Sequence, residues 1–339
     1  MLIKAGTVIN KYTIIRQLGS GGMGAVYAAN QEGLGRRVAI KVILPGLALD
    51  PKSLRDAEER FQREARTLAQ LNDAQVVQVF DFGRHDWQGQ PFLYMVMEFI
   101  DGGSWDAVIA QGTKIDLREH FGIARQAAMG LAAAEEEGIF HRDVKPGNIM
   151  VTRKGAVKVV DFGLSVDQAS YKVTGHQAKG TPPMMAPEVW DGQPSDQRTD
   201  IYALGVSLWH AVTGSLPYQG NTLGEWMRHH CQTPVPTPSG IPPEVVALLH
   251  RMLAKNPQDR FQHHRDVVAV LDRLGATTDL RARAQAWFAH PAIDTTRLVR
   301  SFPAAGAAHS VDRRDRDAKG RKIVRLDEPI IVHVPINAQ

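Results

Sequence analysis

The chain has 339 residues, 43% hydrophobic and 22% charged, which is typical of a folded globular protein and unlike collagen, coiled coils or disordered chains. Its single cysteine, Cys231, excludes an internal disulfide framework and a cysteine-based zinc site, so we expect a reducing, cytoplasmic compartment. The net charge of +4 lies in residues 276–339, which carry 11 Lys and Arg against 7 Asp and Glu, so the rest of the chain does not indicate nucleic-acid binding. No apolar run reaches the ~18 residues of a membrane span, and the first residues lack the pattern of a secretory signal.

The first hundred residues predict a β-rich lobe. Short runs of apolar and β-branched residues at 12–18, 25–29, 38–42 and 92–100 predict strands. One helix interrupts them. Pro51 suits its first turn, and Phe61, Ala65 and Leu68 recur at helical spacing.

After residue 101 the pattern becomes helical. Periodicity predicts helices over 117–137, 198–213, 242–254 and 263–274, with short strands and loops over 139–187. A β-rich lobe followed by a helical lobe predicts a two-lobed α+β protein with a cleft between the lobes. The predicted domains are 10–100, 101–275 and an extension over 276–339, which holds a short helix near Trp287, a linker over 301–322 and a β-like stretch over 323–336.

A glycine-rich loop at 19–24 lies between the first two predicted strands. Glycines let backbone N–H groups approach phosphate oxygens closely, although a tight hairpin explains this loop equally well when it is taken alone. Lys41 lies inside an apolar strand, and a buried ammonium needs an acidic partner. Glu64, beside Ala65 in the predicted helix, is the candidate. A surface lysine and a solvated glutamate remain the alternative for either residue taken alone.

The strongest chemical signal lies at residues 141–148. Asp143 can accept a hydroxyl proton, Lys145 can neutralise charge on a transferring phosphoryl group, and Asn148 can bind a divalent cation through its amide oxygen. Asp161, eighteen residues after Asp143, adds a second oxygen ligand. Two such ligands suit Mg²⁺, which also binds substrate phosphates. Chance is a poor explanation for these residues occurring in this order after the glycine-rich loop and Lys41.

These motifs resemble those of the eukaryotic-type (Hanks-type) serine/threonine protein kinases of bacteria, over roughly residues 10–272. The resemblance implies the bilobal kinase fold, ATP with Mg²⁺ or Mn²⁺, and protein substrates with Ser or Thr acceptors. Residues implied at phosphoryl transfer are Asp143, Lys145, Thr181, Lys41 and Glu64, and those implied at the metal are Asn148 and Asp161. Residues implied at the nucleotide are Leu18, Gly19, Ser20, Gly21, Gly22, Met23, Gly24, Val26, Ala39, Lys41, Met97, Glu98, Ile100 and Met150.

The resemblance also implies contacts that hold the site in place. It implies an ion pair between Lys41 and Glu64, a buried pair between Glu188 and Arg260, and an Asp200 carboxylate that caps the catalytic-loop backbone. An apolar column linking the lobes is implied for Leu68, Val79, His141 and Phe162. The segment between Gly163 and Ala186 is expected to be autophosphorylated at Thr174 or Ser170 and to be ordered through Arg142. The alternative is that this segment becomes ordered without phosphate.

Two other functions compete with an active protein kinase. A pseudokinase that binds without catalysis would need a damaged site, and a kinase for small molecules would not need Lys145 and Thr181 in this arrangement. The histidine pairs 229–230 and 263–264 are predicted to be solvated helix residues and not metal ligands. The oligomeric state is left open, with a transient dimer through the first lobe as one option.

Overall fold

The computed structural model describes residues 3–21, 24–43, 51–87, 89–112, 115–162, 171–173, 176–178 and 180–288. Within these residues the first lobe is a six-stranded antiparallel sheet in the order β1-β2-β3-β4-β6-β5, together with one helix. Its elements are β1 (Val8–Ile9), β2 (Tyr12–Gly21), β3 (Gly24–Gln31), β4 (Arg37–Ile43), α1 (Pro51–Gln70), β5 (Val79–Trp87) and β6 (Gln90–Glu98).

The central strands of this sheet bury both faces, and alternate residues enter different clusters. In β4, Val38, Ile40 and Val42 join a small outer cluster, whereas Ala39 and Ile43 join the main core. This alternation follows from the two-residue period of a strand. On the core side, Phe61, Ala65 and Leu68 of α1 are buried, as their helical spacing predicts. The face of the sheet that joins the main core therefore packs against helix α1.

The second lobe is mainly helical. Its described helices are α2 (Trp105–Ile109), α3 (Leu117–Glu136), α4 (Pro187–Trp190), α5 (Gln197–Thr213), α6 (Leu223–Cys231), α7 (Pro243–Met252), α8 (His264–Arg273) and α9 (Arg281–Trp287). Two small antiparallel sheets complete it, formed by β7 (Gly102–Ser104), β8 (Ile149–Thr152) and β9 (Val157–Val159), and by β10 (Tyr171–Val173) and β11 (His176–Ala178).

Local sequence signals account for the bounds of the long helices. Asp116 and Glu119 form a capping box at the start of α3, and Gly214, with φ of 74°, ends α5 in the left-handed conformation that favours glycine. Residues 201–209 of α5 are all buried, which makes α5 the central helix of this lobe. None of the described helices is long and apolar enough to span a membrane.

The predicted α+β bilobal fold is confirmed, and the four long helices predicted for the second lobe correspond to α3, α5, α7 and α8. Helices α2, α4 and α6 were not predicted, because each is short and its buried residues do not form a long periodic run. Helix α9 lies where a helix was expected near Trp287. The linker and β-like stretch predicted after residue 300 lie outside the described residues, and the domain boundaries stay predictions.

Candidate active site

The catalytic-loop segment, residues 141–148, lies between helix α3 and strand β8 and is held by Asp200 of helix α5. The Asp200 carboxylate accepts hydrogen bonds from the backbone amides of His141 (2.7 Å) and Arg142 (2.8 Å). Arg142 has a φ of 63°, a left-handed conformation that few residues other than glycine adopt. Burial raises the pKa of Asp200, while His141 and these amides act in the opposite direction. The predicted capping role of Asp200 is the contact that stabilises this turn.

Asp143, Lys145 and Thr181 form a triangle of short contacts. The Lys145 Nζ lies 2.6 Å from Asp143 Oδ2 and donates to Thr181 Oγ1 at 3.0 Å. The Thr181 hydroxyl donates to Asp143 Oδ1 at 2.7 Å. Asn148 Nδ2 donates to the backbone oxygen of Asp143 (2.9 Å) and to its Oδ2 (3.2 Å). Residues up to 38 positions apart in the chain thus fix the orientation of one carboxylate.

The two predicted metal ligands present oxygen atoms of the kind that Mg²⁺ prefers. Because Asn148 uses its Nδ2 to bind Asp143, its Oδ1 is the atom left for a cation. Asp161 offers a carboxylate, and this donor set fits a hard cation that takes few protein ligands and also binds phosphates. The part of the chain that the structure describes contains no group of three or more His, Cys, Asp or Glu arranged for a metal.

Lys41 of strand β4 contacts Asp161, with Nζ 2.9 Å from Oδ1. Burial alone would raise the pKa of Asp161, but the charge and hydrogen bond of Lys41 outweigh it and hold this pKa below its ordinary value. Asp161 also has a φ of 62°, a strained conformation for a residue with a side chain. Glu64, the partner predicted for Lys41, lies in helix α1, and its side chain is outside the described residues.

The glycine-rich loop is a hairpin between β2 and β3, with Gly19 opposite Val26, Ser20 opposite Ala25 and Gly21 opposite Gly24. Gly24 has a φ of 141°, and a Cβ there would lie 1.9 Å from the carbonyl oxygen of Val42 in strand β4. Close approach of two strands therefore requires glycine at this position. Gly22 and Met23 lie outside the described residues. Both explanations of the loop, hairpin and phosphate cradle, remain compatible with this backbone.

The segment joining the lobes, residues 98–101, carries an ion pair that sequence reasoning missed. The Lys158 Nζ of β9 lies 2.6 Å from Glu98 Oε1, which also accepts from the Gln78 amide at 3.1 Å. The Glu98 amide donates to the Gln78 carbonyl at 2.9 Å. Leu18, Val26, Ala39, Met97, Ile100 and Met150, the predicted apolar nucleotide contacts, are buried or half-buried. The linking segment is therefore tied to the strands on both sides.

The predicted apolar column runs from helix α1 to the catalytic loop. The His141 and Phe162 rings pack with centroids 4.6 Å apart and planes tilted by 39°, and His141 Nε2 lies 2.9 Å from the Val160 carbonyl. Leu68, Val79 and Phe162 line one small cavity together with Met97. The column links the two lobes through Phe162, the residue next to Asp161.

Glu188 and Arg260 form the buried ion pair that was predicted. Two parallel hydrogen bonds of 2.8 Å join the Arg260 guanidinium to the two carboxylate oxygens of Glu188, and Thr199 Oγ1 also donates to Glu188 at 2.8 Å. The side chain of Arg260 is completely buried. This pair fixes the end of the segment that carries Thr181 to the core of the second lobe.

Sequence reasoning also missed Asp106, at the start of the short helix α2. A Cβ on Gly147 of the catalytic loop would lie 3.0 Å from Asp106 Oδ2, so the two segments are in close contact. Burial raises the pKa of Asp106 to about 6, and Lys145 only partly offsets it. A short helix without periodicity offers no sequence signal that would have placed this carboxylate beside the catalytic loop.

The prediction that the paired histidines are solvated is wrong for His230 and His264, which are 0% and 1% exposed. The carboxylate of Glu135 lies 2.6 Å from His263 Nδ1 and 2.7 Å from His264 Nδ1. The partner comes from helix α3, more than a hundred residues away, so spacing in the sequence did not reveal it. Hydrogen bonds to both rings lower the pKa of Glu135 to about 2, although burial acts in the opposite direction.

The fold and this site define the chain as a protein kinase domain. A family model described as protein kinase domain matches residues 12–269, and the chain belongs to this family. The match begins at β2 and ends in α8.

Its relatives include mycobacterial kinases. The chain is 37% identical over 260 residues to serine/threonine-protein kinase PknA of Mycobacterium tuberculosis, covering 76% of this chain and 59% of PknA. It is 36% identical over 321 residues to serine/threonine-protein kinase PknE of Mycobacterium bovis, covering 90% of this chain and 55% of PknE. The crystal structure of the M. tuberculosis PknI kinase domain aligns with a TM-score of 0.63 at 28% identity, over 81% of this chain and 100% of that domain. The chain spans less than two thirds of the length of the curated kinases.

Proposed function

We propose that this chain is an active serine/threonine protein kinase that transfers the γ-phosphate of ATP to Ser or Thr hydroxyls of proteins. The observation that carries the proposal is the Asp143 carboxylate, held between Lys145 and Thr181. Relatives named serine/threonine-protein kinases support the class of acceptor. A pseudokinase would not need this oriented carboxylate, because binding alone makes no use of it.

Asp143 accepts the proton of the acceptor hydroxyl while the hydroxyl oxygen bonds to the γ-phosphorus. The bond from that phosphorus to its bridging oxygen breaks, and ADP leaves. Among the described residues Asp143 Oδ1 has one hydrogen-bond donor and Oδ2 has two, so Oδ1 keeps the better capacity to accept this proton. The Lys145 ammonium neutralises charge on the transferred group. Geometry supplies most of the rate because the carboxylate is already oriented.

Asn148 Oδ1 and the Asp161 carboxylate would hold Mg²⁺ or Mn²⁺, which when bound neutralises charge on the ATP phosphates. Lys41, which contacts Asp161, would bind the phosphates from the side of the first lobe. Because the Glu98 amide is engaged by Gln78, the Glu98 carbonyl is the backbone atom it can offer to adenine. The remaining predicted nucleotide contacts stay part of this proposal.

Phosphate transfer from labelled ATP to a generic protein substrate tests the proposal, using wild type and Asp143→Asn. We expect Asp143→Asn to lower kcat by about 10²–10⁴-fold with nucleotide binding retained. Asp191→Asn, an exposed carboxylate after helix α4, is the matched control and should keep full activity. If neither wild type nor Asp143→Asn transfers phosphate while both still bind nucleotide, the pseudokinase is favoured. Transfer to small hydroxyl compounds in preference to protein would favour a small-molecule kinase.

We also propose autophosphorylation at Thr174 or Ser170, both outside the described residues. The exposed Arg142 is the cation that would form an ion pair with the phosphorylated side chain. Mass spectrometry after incubation with ATP tests this, and a lack of phosphate in residues 164–185 would contradict it.

The single cysteine supports a cytoplasmic, reducing environment. A transient dimer through the first lobe stays an open option, to be tested by light scattering.

A further inference from the structure

Residues 276–288, here called the strap, follow helix α8 and include helix α9. They lie beyond the residues matched by the kinase family model, which ends at 269. Four of their apolar side chains are nevertheless as buried as the core: Leu280 (1% exposed), Ala284 (0%), Trp287 (5%) and Phe288 (4%). A segment outside the family's shared domain that buries this much apolar surface is an integral part of this lobe.

Three glycines of the kinase domain make room for the strap. A Cβ on Gly122, inside helix α3, would lie 2.3 Å from the Thr277 carbonyl oxygen, and one on Gly155 would lie 2.5 Å from the Arg281 amide nitrogen. A Cβ on Gly103, in strand β7, would lie 2.6 Å from Cε1 of Phe288. Any side chain at these positions would collide with the strap. Glycine inside a helix destabilises it relative to alanine, so close packing of the strap explains Gly122 physically.

The far end of the strap meets the segment that joins the lobes. Arg153 donates to the carbonyl oxygen of Phe288, and its Nε lies 3.2 Å from Asp101 Oδ1. The Arg153 amide donates to the Asp101 carbonyl at 2.8 Å. Asp101 directly follows Ile100, a predicted nucleotide contact. Strand β7 comes next and pairs with β8, placing Ser104 opposite Met150. Phe288 therefore supports the strand pair that carries Met150, a predicted nucleotide contact.

We propose that the strap is a positioning element of the nucleotide site, in which Phe288 and Arg153 hold Asp101 and β7 against β8. This inference rests on the proposed kinase function. Strand β7 has three residues, and two of them are glycines without side chains to anchor it. When the strap is loosened, β7 spends less time in the conformation that binds nucleotide. If the fraction of molecules with β7 in this conformation falls to about one fifth, the apparent Kd for nucleotide rises about fivefold.

Calorimetry with Mg²⁺ and ADP on the full chain tests the proposal, together with steady-state kinetics. We expect Phe288→Ala to raise the Kd for ADP and the KM for ATP about fivefold, while kcat changes by less than about twofold. Arg153→Gln affects a half-exposed side chain, so folding should be preserved, and it should raise both constants about twofold in the same direction. Gly224→Ala is the control, because a Cβ there meets nothing within 4 Å.

A role in folding alone would lower the melting temperature of Phe288→Ala and leave the Kd and KM unchanged, and this result would overturn the proposal. Hydrogen exchange of residues 102–104 separates failure of the strap from failure of the proposed function. Wild type that binds no nucleotide would refute the kinase function. In that case faster exchange of these amides in Phe288→Ala and Arg153→Gln would still support the strap, and unchanged exchange would refute it.

Discussion

Replacing Arg260 by lysine should destabilise this protein far more than the nominal conservation of charge suggests. The guanidinium is completely buried and makes five hydrogen bonds. Nε donates to the Ala254 carbonyl at 2.7 Å. Nη1 donates to Glu188 Oε1 at 2.8 Å and to the Arg198 carbonyl at 2.9 Å. Nη2 donates to Glu188 Oε2 at 2.8 Å and to the Lys255 carbonyl at 3.1 Å. An ammonium has three donors on one nitrogen and cannot serve acceptors spread around a planar fork.

The magnitude follows from the acceptors that lysine would leave unserved. At least two of the five hydrogen bonds are lost, and each buried acceptor left without a donor costs about 1–3 kcal/mol. Two such acceptors together cost about 2–6 kcal/mol. Arg260→Met removes the charge as well, leaving the Glu188 carboxylate without its cation, and should cost about 3–5 kcal/mol.

Urea unfolding of the nucleotide-free protein measures the loss as a change in the free energy of unfolding. Arg265→Lys is the matched control, because Arg265 is 74% exposed and contacts Glu136, itself half-exposed. We expect this control to change stability by less than about 1 kcal/mol. If Arg260→Lys and Arg265→Lys unfold at the same urea concentration with equal m-values, the buried network does not contribute as argued.

Three further substitutions test separate parts of the structure. Thr181→Val removes the hydroxyl that bridges Asp143 and Lys145, so kcat should fall roughly 10–100-fold with an unchanged Kd for ADP. Thr181→Ser keeps the hydroxyl and should keep most activity. Equal kcat values for Thr181→Val and wild type would contradict this role. The pKa of Asp106 in the folded protein, about 6, exceeds its ordinary 3.8, so the ionised carboxylate opposes folding above pH 6 and this cost disappears as the pH falls towards 4. Asp106→Asn should therefore gain up to about 3 kcal/mol at pH 8 and less than about 1 kcal/mol at pH 4 in unfolding measurements. A gain independent of pH would contradict the assignment. Gly24→Ala places a Cβ 1.9 Å from the Val42 carbonyl oxygen and should lower stability by more than about 2 kcal/mol in thermal unfolding. A melting temperature of Gly24→Ala equal to that of wild type would rule this out.

Most of the architecture is visible in local patterns of the sequence. The helices α3, α5, α7 and α8 carry apolar residues at helical spacing over ten or more positions, and strands of the first lobe carry short apolar runs. The residues of the catalytic loop lie within eight positions, so a candidate catalytic site can be predicted from the sequence alone. Arg260 and Glu188, 72 positions apart, were paired only through the family resemblance and not through spacing.

Short-range signals are sufficient to predict the two lobes, the long helices and the candidate reactive groups, because periodicity and short motifs act within a few turns of chain. Packing of the folded chain sets which distant groups meet: Lys41 with Asp161, Lys158 with Glu98, Glu135 with His264, and the strap with its three glycines. Those contacts depend on close packing between segments far apart in the chain. Local sequence carries no record of which segments the folded core will bring within hydrogen-bond distance.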